Sequence, residues 1–552
     1  MAEIDGATII ARELKKQGVE HVFGIVGIPV QVIAGACQRQ GIKFYGMRNE
    51  QAASYAAQAA GYLLGRPQAC LVVSGPGMIH AIAGLANAWS NGWPLLLLGG
   101  APDIAQNSMG SFQEAPQVEA ARPFSKYAHQ VDRVDRIPFY IEQAVRIAMF
   151  GRPGASYLDL PGDIITGKVE EGTVVEARRV PEPPRTLADP ASIERTLEFL
   201  KGAERPLVIV GKGMAWSRAE NEVREFIDKT QLPFLASPMG KGVVPDDHPL
   251  SVAAARTYAL QNTDVVLLMG ARLNWIMHFG LPPRWGDNVK VIQMDIEPEE
   301  IGNNVPAEVA LVGDGKGILT QLNTALDENP WQFSGENLWR SGLRNKLETN
   351  LANTEPMLNS DDTPMGYYRV LKEIRDALPR DAIVTAEGAS TMDISRQVIN
   401  NYEPRTRLDA GSFGTMGVGL GFAIAAQACF PGRRVIDIEG DSAFGFSGME
   451  VETACRYKLP ITFIIINNNG VGGGPRELDS NPLTARGGAY TPSAHYEKVI
   501  EAFGGNGYFV ESPDALKRAI DESFASDMPS VINVMIDIKA ARRPQEFAWN
   551  TH

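Results

Sequence analysis

Short apolar runs alternate with amphipathic stretches along most of the chain. Eight of these runs have the length and composition of buried strands: Ala69–Ser74, Pro94–Gly99, Pro206–Gly211, Asp264–Gly270, Lys290–Asp295, Ala382–Thr385, Val435–Glu439 and Ile461–Asn467. Several of them run directly into Gly or Asn and then into a helical pattern. This order of strand, turn and helix predicts parallel sheets, with ligand sites at the carboxyl ends of the strands.

Two polar segments interrupt this pattern. Residues 170–190 are rich in Glu, Arg and Pro and are predicted to form an exposed linker. Residues 329–366 contain three prolines and one helical patch near Leu338–Leu351. The chain is therefore predicted to form three α/β domains with doubly wound parallel sheets, near 1–175, 190–330 and 360–552.

Composition and charge exclude several classes of protein. Hydrophobic residues make up 44% of the 552 residues and charged residues 21%, which is typical of a globular protein. The net charge of −13 disfavours a general nucleic-acid or anionic-membrane partner. No apolar run approaches the roughly 18 residues that a membrane span needs, and the first residues lack the pattern of a secretory signal.

The cysteines indicate a reducing compartment. Cys37, Cys70, Cys429 and Cys455 are far apart and form no CxxC pair, which argues against a disulfide framework or a structural zinc site. A soluble, cytoplasmic, multi-domain protein is the expectation.

The most specific chemical signal lies in the last third of the chain. One predicted strand runs into Gly440-Asp441-Ser442, and the next one runs into Asn468 and Gly470. A carboxylate, an amide oxygen and a backbone carbonyl are hard ligands that suit Mg²⁺ or Ca²⁺. Glycine beside such ligands lets the backbone approach a diphosphate closely. Each turn alone would be ordinary, but the pair indicates a metal–diphosphate site.

This arrangement resembles the metal–diphosphate motif of thiamine-diphosphate enzymes. The resemblance implies that Asp441, Asn468 and Gly470 hold Mg²⁺. It also implies three sets of cofactor contacts. Gly440, Ser442 and Ala443 flank the metal aspartate, and Ala389, Ser390 and Thr391 form a second strand-to-helix turn. Gly75 lies in a glycine turn near the start of the chain.

Other parts of the family's pattern match residue by residue. Glu50 stands where the family places the glutamate that drives the cofactor's pyrimidine ring to its imino tautomer, the base for the thiazolium C2 proton. Met416 matches the apolar wedge that bends the cofactor, and the carbonyl of Gly414 would accept from the pyrimidine amino group. Many relatives have His where this chain has Asn49, which leaves the glutamate's role intact.

The branch of the family is indicated by the central and final segments. Residues 270–280 (GARLNWIMHFG) look like those of 2-hydroxyacyl-CoA lyases and oxalyl-CoA decarboxylases, whereas residues 503–508 and 542–549 resemble the lyases more closely. Oxalyl-CoA decarboxylases carry Tyr-Glu at the position of Phe112-Gln113, and a tyrosine where this chain has residues 471–474. A neutral Gln113 therefore favours the lyase.

Further site residues follow from the same resemblance. Gln113 is expected at the reacting centre, and His80 is either a packed side chain or a second group there. The chain's last residues, with Arg542, Arg543, Trp549 and His552, are predicted to form a lid over a CoA thioester. In the central domain the strand ends at Gly211, Lys212, Arg272 and Asp295 suit ADP, which oxalyl-CoA decarboxylases hold there. Arg152, from the end of the first domain, fits a further contact.

The resemblance implies a lyase that cleaves a 2-hydroxyacyl-CoA reversibly into formyl-CoA and an aldehyde or ketone. A branched substrate such as 2-hydroxyisobutyryl-CoA would give acetone. The alternatives are an oxalyl-CoA decarboxylase, an acetolactate-synthase-like carboligase with FAD, which is not expected here, and a non-catalytic thiamine-diphosphate-binding module. The cofactor is expected between two subunits of a homodimer or homotetramer.

Overall fold

Three parallel sheets organise the chain. The computed structural model describes residues 2–335, 337–472, 481 and 483–543. It contains all eight predicted strands, with each end within two residues of the prediction. The predicted fold class, α/β with three parallel-sheet domains, is therefore confirmed.

The N-terminal sheet has six parallel strands. Its region comprises β1 (Glu3–Asp5), α1 (Gly6–Lys16), β2 (His21–Gly24), α2 (Gln31–Arg39), β3 (Lys43–Gly46), α3 (Glu50–Leu64), β4 (Gln68–Val72), α4 (Pro76–Asn91), β5 (Leu95–Ala101), α5 (Gln117–Ala121), β6 (Tyr127–Gln130), α6 (Ile137–Met149), β7 (Ala155–Pro161), α7 (Gly162–Thr166) and β8 (Lys168–Glu170). The strand order is β3-β2-β4-β5-β7-β6, and β1 pairs separately with β8.

Both faces of this sheet are buried. In β4, Ala69 and Leu71 pack in the cluster that contains α1, α2 and α6, whereas Cys70 and Val72 pack with α3 and α4. Successive strand residues point to opposite faces, so a strand covered on both sides must be apolar throughout. This explains why the run Ala69–Ser74 shows no alternation in the sequence.

The central sheet has five parallel strands in the order β10-β9-β11-β12-β13. Its elements are α8 (Pro190–Gly202), β9 (Pro206–Val210), α9 (Lys212–Trp216), α10 (Glu220–Thr230), β10 (Phe234–Ala236), α11 (Arg256–Asn262), β11 (Val265–Met269), β12 (Lys290–Asp295), β13 (Ala307–Val312) and α12 (Gly315–Glu328). Gly211 is required at the end of β9, because a Cβ there would lie 2.0 Å from the carbonyl oxygen of Gly270.

A longer helix than predicted joins the central and C-terminal regions. The helical patch expected near Leu338–Leu351 extends through Pro356 to form α13 (Leu338–Leu358). The helix is anchored on the central sheet, because Trp339 is buried and its indole N–H donates to the carbonyl of Pro206 at 3.0 Å. Tertiary packing therefore extends an element whose local sequence is weakly helical.

The C-terminal sheet again has six parallel strands, in the order β15-β14-β16-β17-β19-β18. Its elements are α14 (Tyr367–Ala377), β14 (Ile383–Ala386), α15 (Ala389–Val398), β15 (Arg407–Asp409), α16 (Gly419–Cys429), β16 (Val435–Gly440), α17 (Asp441–Ser447), α18 (Glu450–Arg456), β17 (Thr462–Asn467), α19 (Glu497–Glu501), β18 (Asn506–Val510), α20 (Pro513–Ala525) and β19 (Ser530–Met535). The proposed boundaries near 1–175, 190–330 and 360–552 place each sheet in its own domain.

The first and third domains share a core through α3 and α16. A Cβ on Gly421 of α16 would lie 2.8 Å from the carbonyl oxygen of Ala52 on α3, so the two backbones approach closely. The ring of Trp93 lies 4.6 Å from Tyr62 and 5.3 Å from Phe422, which continues this contact. The two domains of one chain are therefore held in a fixed relation.

No helix in the described ranges is long and apolar enough to cross a membrane. All four cysteines lie within those ranges and are unpaired thiols, as their spacing predicts.

Candidate active site

Glu50 is the first residue of α3, at the carboxyl edge of the N-terminal sheet. Asn49 caps the helix with its side-chain oxygen, which accepts from the backbone N–H of Gln51 at 2.7 Å. The Glu50 carboxylate lies 3.1 Å from Nδ1 of His80 on α4, and its side chain is only 14% exposed. The structure thus brings together two of the predicted catalytic residues.

Gln113 reaches the same edge from the loop after β5. A Cβ on Gly75 would lie 2.5 Å from the Gln113 carbonyl oxygen, so only glycine fits beside this loop. Ser74 donates to the Gln113 side-chain oxygen at 3.3 Å. Gln113 itself has a left-handed backbone, with φ of 56°, which is a costly conformation for a residue with a side chain. Gly75 and Gln113 therefore lie next to each other at this edge.

Glu450 of the C-terminal domain fixes the start of α3. Its buried carboxylate accepts from the backbone N–H of Arg48 at 3.0 Å and from Thr453 at 2.7 Å. Burial raises the pKa of Glu450 to about 7. The cap that positions Glu50 is consequently held by a residue about 400 positions further along the chain.

Two turns of the C-terminal domain lie side by side, because β14 and β16 are neighbouring parallel strands. The turn at Gly388 has φ of 87° and leads into Ala389, the first residue of α15. A Cβ on Gly388 would lie 3.4 Å from the backbone N of Gly440, and one on Gly440 would lie 3.5 Å from the Thr391 hydroxyl. The predicted diphosphate contacts of both turns therefore converge.

Asp441 begins α17 beside the end of β17. It is buried, and its carboxylate accepts from the backbone N–H groups of Ser442 and Gly470, each at 2.8 Å. Burial raises the pKa of Asp441 to about 6. Asn468 follows β17 and its amide donates to the hydroxyl of Tyr367 at 3.2 Å.

These oxygens suit a hard divalent cation. The residues supply one carboxylate, one amide oxygen and one backbone carbonyl. Phosphate and water oxygens would fill the remaining coordination positions of the cation. Among the described residues no group of three or more His, Cys, Asp or Glu could hold a metal ion. That finding agrees with a set in which Asp441 is the single acidic member.

Glu387 connects the two segments that the sequence assigns to the cofactor. It directly precedes the Gly388 turn, and its fully buried carboxylate accepts from the backbone N–H groups of Gly417 and Gly419. The first contact is short and the second measures 2.6 Å. One side chain therefore sets the position of Gly414 and Met416 relative to the helix α15.

Two further acids pack against Glu387. Asp437 and Glu439 lie on β16, both are buried, and Thr385 donates to Asp437 at 2.5 Å. Burial raises the pKa of all three carboxyl groups, and the negative charges of the neighbours add to this for Glu387 and Glu439. The N-terminal end of α16 faces the cluster and its dipole favours negative charge there.

Two of the five residues predicted for ADP, Arg152 and Arg272, lie beside Glu300, an acid that the sequence analysis did not consider. Arg152 pairs with Glu300 at 3.1 Å and Arg272 lies 3.9 Å from it. Burial raises the pKa of Asp295, and the nearby charges of Arg152 and Arg272 oppose this shift. Lys212 turns toward the N-terminal domain, where it donates to Asn91 at 3.0 Å. The adjoining cavity measures about 70 Å³, which is smaller than a nucleotide in this arrangement.

The start of the predicted lid lies against the C-terminal domain. Arg542 pairs with Asp393 of α15, and Arg543 donates to Thr354 at 3.2 Å. Trp549 and His552 lie outside the described residues.

Arg542 belongs to a cationic group built mainly from the central domain. The other members are Arg256 and Arg284. Beside them lies His278, a neutral ring whose pKa is lowered to about 3 by burial and then by these arginines. Arg256 contacts the His278 ring at 3.1 Å. His278 also has a left-handed backbone, with φ of 51°.

Three residues of the site were missed as functional residues by the sequence analysis. Tyr367 joins Ser390 to Asn468 through its hydroxyl. Glu387 and Glu450 hold backbone N–H groups at the ends of α16 and α3. Glu387 lies two residues after the predicted strand Ala382–Thr385, where an apolar or turn residue is usual, and this was the one local signal for it.

Known protein families match all three domains. The chain matches the N-terminal TPP binding domain of thiamine pyrophosphate enzymes over residues 4–120, their central domain over 193–322 and their C-terminal TPP binding domain over 387–534. The fold and the site thus define a thiamine-diphosphate enzyme.

Whole-chain relatives narrow this class. The chain is 50% identical to human "2-hydroxyacyl-CoA lyase 1", with 100% of this chain and 97% of the relative covered. It is 44% identical to the 2-hydroxyacyl-CoA lyase of Arabidopsis thaliana (97% and 96% covered) and 41% identical to the oxalyl-CoA decarboxylase of Escherichia coli K12 (97% and 95% covered). The chain belongs to the 2-hydroxyacyl-CoA lyase and oxalyl-CoA decarboxylase branch of the thiamine-diphosphate enzymes.

The contacts of Glu387 generate a prediction about cofactor binding. Glu387→Gln keeps the size of the side chain but leaves one acceptor oxygen for the two backbone N–H donors. The segment with Gly414 and Met416 therefore loses its fixed position. We expect the affinity for thiamine diphosphate with Mg²⁺, measured by calorimetry, to fall about tenfold, the equivalent of one hydrogen bond to a charged group. Glu452→Gln, which removes a carboxylate paired with Arg456 on the surface of the same domain, is the matched control. Unchanged affinity in Glu387→Gln would contradict the positioning role.

Proposed function

We propose that the protein cleaves a 2-hydroxyacyl-CoA into formyl-CoA and an aldehyde or ketone, and that the reaction is reversible. The observation that carries this choice is the neutral amide of Gln113 beside Gly75 and Ser74, at the edge that also holds Glu50. An amide suits the uncharged hydroxyalkyl group of such a substrate, whereas a carboxylate would repel the negative charge that develops on the 2-hydroxyl oxygen as its proton leaves. The names of the human and plant relatives support the proposal.

Thiamine diphosphate, when bound, supplies the electron sink that carbon–carbon cleavage next to a thioester carbonyl requires. Glu50 would exchange a proton with a ring nitrogen of the pyrimidine. His80 would relay a proton to or from this carboxylate, because its Nδ1 lies 3.1 Å from Glu50. Gln113 would orient the substrate's hydroxyl group by a hydrogen bond.

Mg²⁺ is proposed at Asp441, Asn468 and the carbonyl of Gly470. A buried carboxylate whose pKa lies near 6 gains its counter-charge from such a cation. The diphosphate would complete the coordination and accept from the backbone and hydroxyl groups of Ser390, Thr391 and Ser442, which line the same pair of turns.

Coenzyme A is proposed to bind through the cationic group of Arg256, Arg284 and Arg542. Phosphates of the coenzyme suit a cluster of guanidinium groups, and Arg542 is anchored through Asp393 to α15, the helix that starts at the cofactor turn. The rest of the predicted lid would follow from this anchor, with Trp549 and His552 beyond it.

The cofactor is proposed to lie between the N-terminal domain of one subunit and the C-terminal domain of another, in a homodimer or homotetramer. Apolar side chains around the Glu50 edge support this arrangement, since Ile28, Met109 and Phe112 are each at least 74% exposed. On the C-terminal domain, Phe413 and Phe446 are 51% and 56% exposed near the cofactor turns. Patches of this kind mark interfaces.

A nucleotide such as ADP at the edge of the central sheet also stays a proposal. Binding would require Arg152 and Arg272 to exchange Glu300 for phosphate, and the 70 Å³ cavity would have to widen. A cytoplasmic location belongs to the same proposal. So does a substrate that is branched at C2, such as 2-hydroxyisobutyryl-CoA.

The products distinguish this proposal from decarboxylation. Incubation of the holoenzyme with a 2-hydroxyacyl-CoA should give formyl-CoA and the matching aldehyde in equal amounts by mass spectrometry. The same enzyme should release little CO₂ from oxalyl-CoA. Glu50→Gln is the inactive control. CO₂ release from oxalyl-CoA as the faster reaction would favour the decarboxylase and would contradict the argument from Gln113.

The coenzyme A site predicts a specific kinetic change. Arg542→Gln should raise the KM for the acyl-CoA about tenfold, the cost of one charge-assisted contact to phosphate, and should leave the affinity for thiamine diphosphate unchanged. Arg518→Gln, on the outer helix α20, is a control with the same change of charge. A KM for Arg542→Gln within twofold of the parent would remove this residue from the site.

A further inference from the structure

A large cavity lies where the three domains meet. Its volume is about 780 Å³, and its lining comes from the end of α3, from α10 and the residues before it, and from the C-terminal domain near α16. Because α3 has 15 residues, its end at Leu63 and Leu64 is roughly 20 Å from Glu50. The cavity is therefore separate from the proposed active site.

Arginine dominates the charge of this cavity, which we name the junction cavity. Five line it: Arg218, Arg224, Arg380, Arg405 and Arg433. The acids in the lining are Glu220, which pairs with Arg405 at 2.9 Å, and Glu403, which pairs with Arg433. Asp247 pairs with Arg380 from outside the lining. A surplus of positive charge remains in a chain that carries a net charge of −13.

Two of these arginines are held in an unfavourable backbone conformation. Arg218 has φ of 56° and Arg405 has φ of 64°, both in the left-handed region that is unfavourable for a residue with a side chain. Burial and the nearby Arg405 also lower the pKa of Arg218. The surrounding structure therefore keeps both side chains in the lining of the junction cavity at a cost in backbone conformation.

A buried hydroxyl next to the junction cavity has no hydrogen-bond partner among the described residues. The Tyr62 hydroxyl on α3 is fully buried, and its ring stacks on Trp93. Burial raises the pKa of this hydroxyl, and the charges of Arg405, Arg218 and Glu220 also act on it, which places it close to the lining. An unsatisfied buried hydroxyl of this kind is expected to face a water molecule or a ligand.

We propose that the junction cavity binds a polyphosphate anion, as found in a nucleoside triphosphate. Several guanidinium groups within one concave site match the geometry and charge of linked phosphates. The volume is sufficient for a nucleotide, and Leu63, Leu64 and Phe430 provide an apolar wall for a base. The ligand would contact all three domains at once and would therefore stabilise their arrangement.

The test is calorimetric titration of the holoenzyme, saturated with thiamine diphosphate and Mg²⁺, with ATP and separately with inorganic tripolyphosphate. Saturable binding is expected for at least one of them. Arg218→Gln and Arg433→Gln should each weaken it about tenfold. Glu403→Gln should strengthen it, because it leaves Arg433 without its acidic partner. Arg146→Gln, which removes an arginine paired with Glu142 on α6, should change nothing.

The outcomes separate the possible sources of the signal. Equal affinity for tripolyphosphate and ATP would identify phosphate as the recognised group, whereas binding of ATP alone would identify a nucleotide, and both results support the proposal. If Arg272→Gln abolishes binding and the junction variants do not, the ligand occupies the edge of the central sheet and the proposal is wrong. Absence of binding to both probes at millimolar concentration would also overturn it.

Discussion

A buried carboxylate that accepts from backbone N–H groups is the interaction on which the site depends. Glu387 holds Gly417 and Gly419 at the start of α16, and Glu450 holds Arg48 at the start of α3. Each acid is costly to bury, and this cost is offset because it accepts from backbone N–H groups in the turns that lead into the two helices. The same bonds fix the segments that precede Met416 and Glu50.

The parallel sheets bring these fixed segments to useful places. In the C-terminal domain the neighbouring strands β14, β16 and β17 end at the same edge, so their turns supply the proposed diphosphate and metal contacts together. In the N-terminal domain the corresponding edge carries Glu50, Gly75 and Gln113. The close packing of α3 on α16 then fixes the two edges within one chain.

Sequence patterns predicted the strands, the fold class and the residues at strand ends, because these features depend on local apolar runs and short turns. They did not predict the partners of Glu387, Glu450 or Tyr367, since each contacts residues that are distant in sequence. The length of α13 was underestimated for the same reason: Trp339 is anchored by the carbonyl of Pro206, which no local pattern reveals. Glu300 was likewise missed among the residues predicted for ADP.

The central claim is that Glu50 activates the cofactor's C2 position, and proton exchange at that carbon tests it most directly. The enzyme with bound thiamine diphosphate is mixed with deuterium oxide, and the exchange is stopped with acid after set times. The loss of the C2 proton signal is then measured by NMR. The account predicts that Glu50→Gln slows this exchange at least about a hundredfold, the range of general acid–base effects, while the cofactor stays bound. Exchange in Glu50→Gln within about threefold of the parent enzyme would contradict the account.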